Sequence, residues 1–253
     1  MDGGDWGVYL TNDLGALASI GVDLQYKMAA VSSFSTLVIL EIKLTHPREN
    51  GLPQSDESQA VYAIEDRMGE VLRASNENRY VGRKLSGGVV KFFFYTSTVG
   101  GLLASIKETA AQFPQYSFET RVISDANWSV YRQSLLPGGD DIQRVEDNKV
   151  LSSMIAHGDD GTHPRVVDHF AYFSTAEEQR KFAASILKYG FEVADQASID
   201  DSARPWSVRF RRIDVPNQIT AVTVKLTHLA AQFDGEYDGW ECAVTPSATL
   251  PGK

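Results

Sequence analysis

The sequence predicts an α+β protein of two ferredoxin-like (split βαβ) domains, each an antiparallel sheet with helices on one face. Three observations lead there. From Phe34 onward, strand-patterned and helix-patterned stretches follow in the order β-α-β-β-α-β. After residue 165 the same order returns. Between the two runs lies Pro137-Gly138-Gly139-Asp140-Asp141, a breaker, two flexible residues and two acids with little apolar surface to bury. Domains are therefore expected at residues 1–137 and 138–253. The halves share no residue-level repeat, so the common order is one of topology.

Two short strands are expected before the first run, at Trp6–Leu10 and Val22–Ala30. Phe34–Leu44 contains Leu37, Val38, Ile39, Leu40 and Ile42 almost unbroken, the composition of a strand buried on both faces. His46-Pro47 and Gly51-Leu52-Pro53 interrupt the chain. Asp56 with Gln59 can form a capping box for a helix to about Arg73, whose stripe is Val61, Ile64, Met68 and Leu72. Strands at Arg79–Leu85 and Val89–Thr96 flank Ser86-Gly87-Gly88, a hairpin signal. A helix over Val99–Gln112 and a strand over Ser117–Ile123 complete the run.

In the second half a helix is expected from Ile142 to His157, ended by Gly158-Asp159-Asp160-Gly161. Arg165–Phe173 reads as a strand. Ser174-Thr175-Ala176-Glu177-Glu178 opens a capped helix to Tyr189, and Gly190 stands where a C-terminal cap belongs. Strands at Phe191–Ala194 and Trp206–Ile213 follow, then a helix from Pro216 to Gln232 and a last strand at Tyr237–Val244. Thr245–Lys253 reads as a loose tail.

The totals exclude several classes of function. A chain of 253 residues with 43% hydrophobic residues can bury a core. It contains no apolar run of about 18 residues, so no membrane span is expected. The acidic start, Met1-Asp2-Gly3-Gly4-Asp5, lacks the features of a signal peptide, and Cys242 is the one cysteine. The expected location is the cytoplasm. Net charge is −9. Residues 1–137 hold 12 basic and 15 acidic side chains, and residues 138–253 hold 12 and 18. That balance argues against direct nucleic-acid binding, which needs clustered Lys and Arg, and it allows a basic protein partner. The histidines His46, His157, His163, His169 and His228 fall in no metal-binding spacing, and neither a nucleophile elbow nor a phosphate loop occurs. No catalytic residue, cofactor or metal is expected, although a hydrolase of uncharacterised type remains open as an alternative.

His163-Pro164-Arg165-Val166-Val167-Asp168-His169-Phe170-Ala171-Tyr172-Phe173, then Tyr189-Gly190-Phe191-Glu192-Val193, Trp206-Ser207-Val208 and Gly235-Glu236-Tyr237-Asp238-Gly239-Trp240-Glu241, resemble the regulator of ribonuclease activity B family of ribonuclease E inhibitors. The resemblance covers roughly residues 141–245. The N-terminal part, through Trp6, Tyr9 and Asp125-Ala126-Asn127-Trp128-Ser129-Val130-Tyr131-Arg132, resembles a bacterial domain family of unknown function often fused to that module. What the resemblance implies is a non-enzymatic regulator that binds the arginine-rich C-terminal scaffold of ribonuclease E and lowers RNA cleavage. Carboxylates of the acidic C-terminal half would steer and contact such a partner.

Strand alternation puts Asp168, Phe170 and Tyr172 on one face and Val167, His169, Ala171 and Phe173 on the other. In the last strand the same rule groups Glu236, Asp238 and Trp240, while Gly239 suggests a bulge. Asp168, Tyr172, Glu236, Asp238, Trp240 and Glu241 are the candidate partner-binding residues. The plainer alternatives are that Asp168 is satisfied by its neighbours and that Trp240 is a core anchor. Direct binding of single-stranded RNA through an open sheet face is the competing functional reading. It would use Phe92 and Phe94 on the third strand of the first domain, or Arg209, Arg211 and Arg212 on that of the second.

Overall fold

The computed structural model describes residues 4–28, 33–73, 76–198 and 203–246, and of residues 71–73 the backbone alone. The chain divides into two compact units, Met1–Asp141 and Ile142–Lys253. Both are α+β, each built on one antiparallel sheet. Among the described residues no helix is long and apolar enough to cross a membrane.

The first unit contains β1 (Trp6–Asp13), β2 (Ala16–Asp23), β3 (Thr36–Lys43), α1 (Ser55–Arg73), β4 (Asn78–Ser86), β5 (Val89–Thr96), α2 (Val99–Ala110) and β6 (Phe118–Ser124). Its six strands lie in the order β1-β2-β4-β5-β3-β6. Strands β3 and β4 each pair antiparallel with β5, so they run parallel to one another with β5 between them. Gly87 and Gly88 both have positive φ, as a two-residue hairpin turn requires. The expected strand Val22–Ala30 is corrected. It ends at Asp23, whose carboxylate accepts from the Gln25 and Asp5 amides (both 3.1 Å) and starts a 3₁₀ turn. Ala29 and Ala30 lie outside the described residues, as do the Leu72 side chain and residues 247–253 of the tail.

One face of this sheet, through Val38, Leu40, Ile42, Phe92 and Phe94, meets Val61, Ile64, Met68, Leu102 and Ile106 of α1 and α2. Full burial of each such side chain contributes roughly 1.5–3 kcal/mol. Arg83 of β4 and Glu65 of α1 form a buried ion pair, and the Tyr80 hydroxyl donates to Glu65 at 2.6 Å. The opposite face is also covered. Residues 125–136, including one π-helical turn at Tyr131–Leu135, lie over it. Trp128 stacks on Tyr95 at 4.0 Å, and its indole donates to the Phe34 carbonyl. The Asp125 carboxylate gathers the Tyr95 hydroxyl (2.6 Å) and the amides of Ser129 and Val130. The picture of helices on one face is therefore incomplete for this unit. Phe92 and Phe94 are fully buried and present no stacking platform, which corrects the RNA reading there.

The second unit is approached through α3 (Asp140–Ala156), followed by β7 (Arg165–Phe173), α4 (Ala176–Ile186), β8 (Glu192–Ser198), β9 (Trp206–Asp214), α5 (Thr220–Ala231) and β10 (Gly235–Cys242). Thr175 and Glu178 form the expected capping box of α4, and Gly190 has φ 80° after a 3₁₀ turn at Leu187–Tyr189. The sheet order is β10-β7-β9-β8. Ala171, Phe173, Val208 and Phe210 point from the sheet into a core closed by Phe182, Ile186, Leu226 and Ala230 of α4 and α5. Val167, Ile219 and Trp240 form a second cluster with Met154 of α3.

Candidate functional site

The alternation of β7 fixes two different surfaces. Val167, His169, Ala171 and Phe173 are buried, and Asp168, Phe170 and Tyr172 are half-buried on the other side of the sheet. Strand register then assigns the neighbours of that outer side. Tyr172 lies between Glu236 and Ser207, Phe170 between Gly239 and Arg209, and Asp168 between Glu241 and Arg211. On the far edge Asp195 stands opposite Arg209 and Glu192 opposite Arg211. The helices α3, α4 and α5 of this unit pack against the other side of the sheet. Val166 and Ile213, paired at its end, are 48% and 67% exposed.

The face is ordered by charge. Asp168 pairs with Arg209 at 3.0 Å and Glu192 with Arg211 at 2.9 Å. These hydrogen bonds, more than charge at a distance, raise both guanidinium pKa values and lower that of Glu192. Arg204 lies 3.6 Å from Glu236. Five carboxylates (Asp168, Glu192, Asp195, Glu236 and Glu241) thus share this surface with Arg209 and Arg211, both engaged, and with Arg204 at its rim. Aromatic rings occupy its centre, with the Arg209 guanidinium 5.9 Å from the Phe170 ring.

The bulge in β10 corrects the face assignment of the last strand. Register shifts between Tyr237 and Gly239, and Gly239 has φ 101°, a conformation suited to glycine. Tyr237 opposes Ala171 and Trp240 opposes His169, so both rings enter the core. Glu236, Gly239 and Glu241 face outward together. Trp240 is 7% exposed, and its indole donates to Asp147 at 3.0 Å. It is an anchor and is removed from the candidate docking residues. Asp238, the extra residue of the bulge, is exposed. Partial burial and then the nearby Glu236 raise its pKa. A Cβ added at Gly239 would meet no atom within 4 Å, so the surface beside Phe170 is open.

Buried polar groups lie behind this face, Asp147 and His169 among them. The Asp147 carboxylate accepts from Gln143 Nε2 (2.8 Å), Thr223 Oγ1 (2.6 Å) and Trp240 Nε1 (3.0 Å), tying together α3, α5 and β10. His169 is fully buried, stacked near Phe210, with Nδ1 2.8 Å from the Tyr237 hydroxyl and no hydrogen-bond partner at Nε2. Burial lowers its pKa to about 4, and the Asp214 and Asp168 charges oppose that shift only in part. Asp159, in the loop after α3, is a buried clamp. It pairs with Arg165 and accepts from the Gly161 and Thr245 amides, and the Arg165 bond holds its carboxyl well below the usual range. Among the described residues no three His, Cys, Asp or Glu side chains converge to hold a metal ion.

Glu192 and Asp195 join the candidate docking residues only through register across β9, and Phe170 belongs with them on the face of Asp168 and Tyr172. The signal was present in β9, where Val208 and Phe210 alternate with Arg209 and Arg211. Once Val208 and Phe210 are assigned to the core, the arginines and everything registered with them must face outward.

Two family models match the chain. Residues 144–242 match the regulator of ribonuclease activity B family. No curated protein matches the chain. Two solved structures align over most of the length. An unknown protein from Galdieria sulphuraria is 11% identical, covering 82% of this chain and 97% of that one, with a TM-score of 0.22. A putative glycine cleavage system transcriptional repressor is 10% identical, covering 81% and 96%, with a TM-score of 0.23. Residues 4–136, just over half of the chain, match the family of unknown function DUF695, and the chain belongs to that family.

Proposed function

We propose that this protein is a non-catalytic cytoplasmic regulator of RNA decay that docks a basic, extended protein segment on the outer face of the β10-β7-β9-β8 sheet. The match of residues 144–242 to regulator of ribonuclease activity B supports a regulatory role. The observation that carries the docking mode is the open face itself. Its arginines, Arg204, Arg209 and Arg211, are already paired, which leaves Asp195 and Glu241 as the excess of carboxylates around Phe170 and Tyr172. An arginine-rich segment suits such a surface, with guanidinium groups meeting carboxylates at the rim and stacking on the central rings. The partner proposed is the arginine-rich C-terminal scaffold of ribonuclease E.

Co-purification of the full chain with that scaffold, at low and moderate salt, tests the reading. Retention that weakens as salt rises is expected, because exposed charge contacts are screened. Absence of binding, or binding indifferent to salt, contradicts it. Retention on immobilised RNA in preference to the scaffold contradicts it as well, since the same carboxylates repel phosphates.

A further inference from the structure

The helix side of the same sheet carries a groove of about 460 Å³ that the docking reading does not use. One flank of α5 is closed by α3, where the Thr223 and Thr227 hydroxyls donate to Asp147 and Gln143. The other flank carries Val222, Lys225, Leu229 and Gln232 at helical spacing, and these form one wall of the groove. The facing wall is Tyr189, Phe191 and Arg212. Phe191, Leu226 and Leu229 are buried and make an apolar floor, while Tyr189 is 56% exposed at the mouth.

The charge of the groove differs from that of the chain. Its lining includes Arg212, Lys225 and His228 and no carboxylate, in a protein of net charge −9. Arg212 is held in place: its guanidinium lies 4.2 Å over the Phe191 ring, grips Asp214 through Nε (3.0 Å) and Nη2 (2.8 Å), and donates from Nη1 to the Tyr189 carbonyl. Asp214 therefore meets most of the Arg212 charge. Lys225 is exposed and pairs with no acid among the described residues. An apolar trough of ligand size with one unspent cation at its rim is suited to a molecule with a hydrocarbon body and a single negative head.

We infer that this groove binds a small amphipathic carboxylate, its chain lying on Phe191, Leu226 and Leu229 and its head at Lys225 beside Arg212. The inference is independent of the docking face, and either can fail without the other. Decanoate is the probe, titrated into the full chain by calorimetry and by amide chemical shifts. Saturable binding at one site is expected, with shifts centred on residues 189–191, 212 and 222–232. Lys225→Glu weakens it about tenfold, the effect of losing one charge-assisted contact. Gln232→Trp, at an exposed wall position outside the core, fills the groove and removes binding while the circular dichroism spectrum is unchanged. Decanol, of the same length without the charge, binds more weakly than decanoate. The inference is overturned by no saturable binding up to about 1 mM, by equal binding of decanol, by indifference to Lys225→Glu, or by shifts centred elsewhere.

Discussion

Replacing Asp147 by alanine tests whether Trp240 is an internal anchor. Asp147 is fully buried and accepts three hydrogen bonds. Thr223 keeps an alternative acceptor, the Thr220 carbonyl at 3.1 Å, so its hydroxyl is not orphaned. The Gln143 amide and the Trp240 indole each lose the acceptor they have. An unmade buried donor costs about 1–3 kcal/mol, so with two donors orphaned Asp147→Ala is expected to destabilise the second unit by roughly 2–6 kcal/mol. Trp240→Phe removes one donor and keeps most of the ring, and should cost about 1–2 kcal/mol. Once Asp147 is gone, the second change should cost less, because its hydrogen bond is already lost. A double-mutant cycle followed by urea unfolding of the full chain therefore shows a coupling of about 1 kcal/mol. A loss below about 0.5 kcal/mol for Asp147→Ala, or strict additivity with Trp240→Phe, would refute the anchoring argument.

Three further outcomes follow from the same geometry. The folded-state pKa of His169 is lowered from 6.5 to about 4, so its neutral form stabilises the fold above the unfolded value, and that contribution is lost as pH falls from 6.5 through about 4. His169→Phe should flatten the stability profile across that window by about 3 kcal/mol, measured from urea midpoints at several pH values. Glu65→Ala leaves the buried Arg83 unpaired and should cost the first unit roughly 3–5 kcal/mol, read as a shift in its unfolding transition. Tyr172→Ala, on the outer face, should change stability by less than about 1 kcal/mol while weakening scaffold binding, so calorimetry and thermal melts on one variant separate the two effects.

Much of the fold could be read from periodicity because helices and strands bury opposite patterns. β5 and β7 begin and end where their alternation and breakers suggest. The capping box at Thr175 and the left-handed Gly190 mark the limits of a helix through chemistry that is local to the chain. Features that depend on distant partners were not legible. Asp23 stops β2 with a local turn to the Gln25 amide, but the bond that fixes it there comes from the Asp5 amide 18 residues away. The outer face of β10 was misread because one bulged residue, Asp238, exchanges the sides of everything after it. Gly239 hinted at the bulge but not at its phase. Asp168 was recognised as polar and accessible, but its tie to Arg209 emerges only from pairing 41 residues apart. The groove beside α5 was invisible for the same reason, since Tyr189, Arg212 and Lys225 meet only through the fold.

The most direct test of the docking face is calorimetric titration of the ribonuclease E C-terminal scaffold into the full chain and into the double variant Glu236→Lys/Glu241→Lys. Both positions are exposed on β10, so the melting temperature should be unchanged. Reversing two rim charges should weaken binding at least about tenfold and flatten its dependence on salt. Equal affinity and an equal salt slope in the two proteins would contradict the assignment of this face.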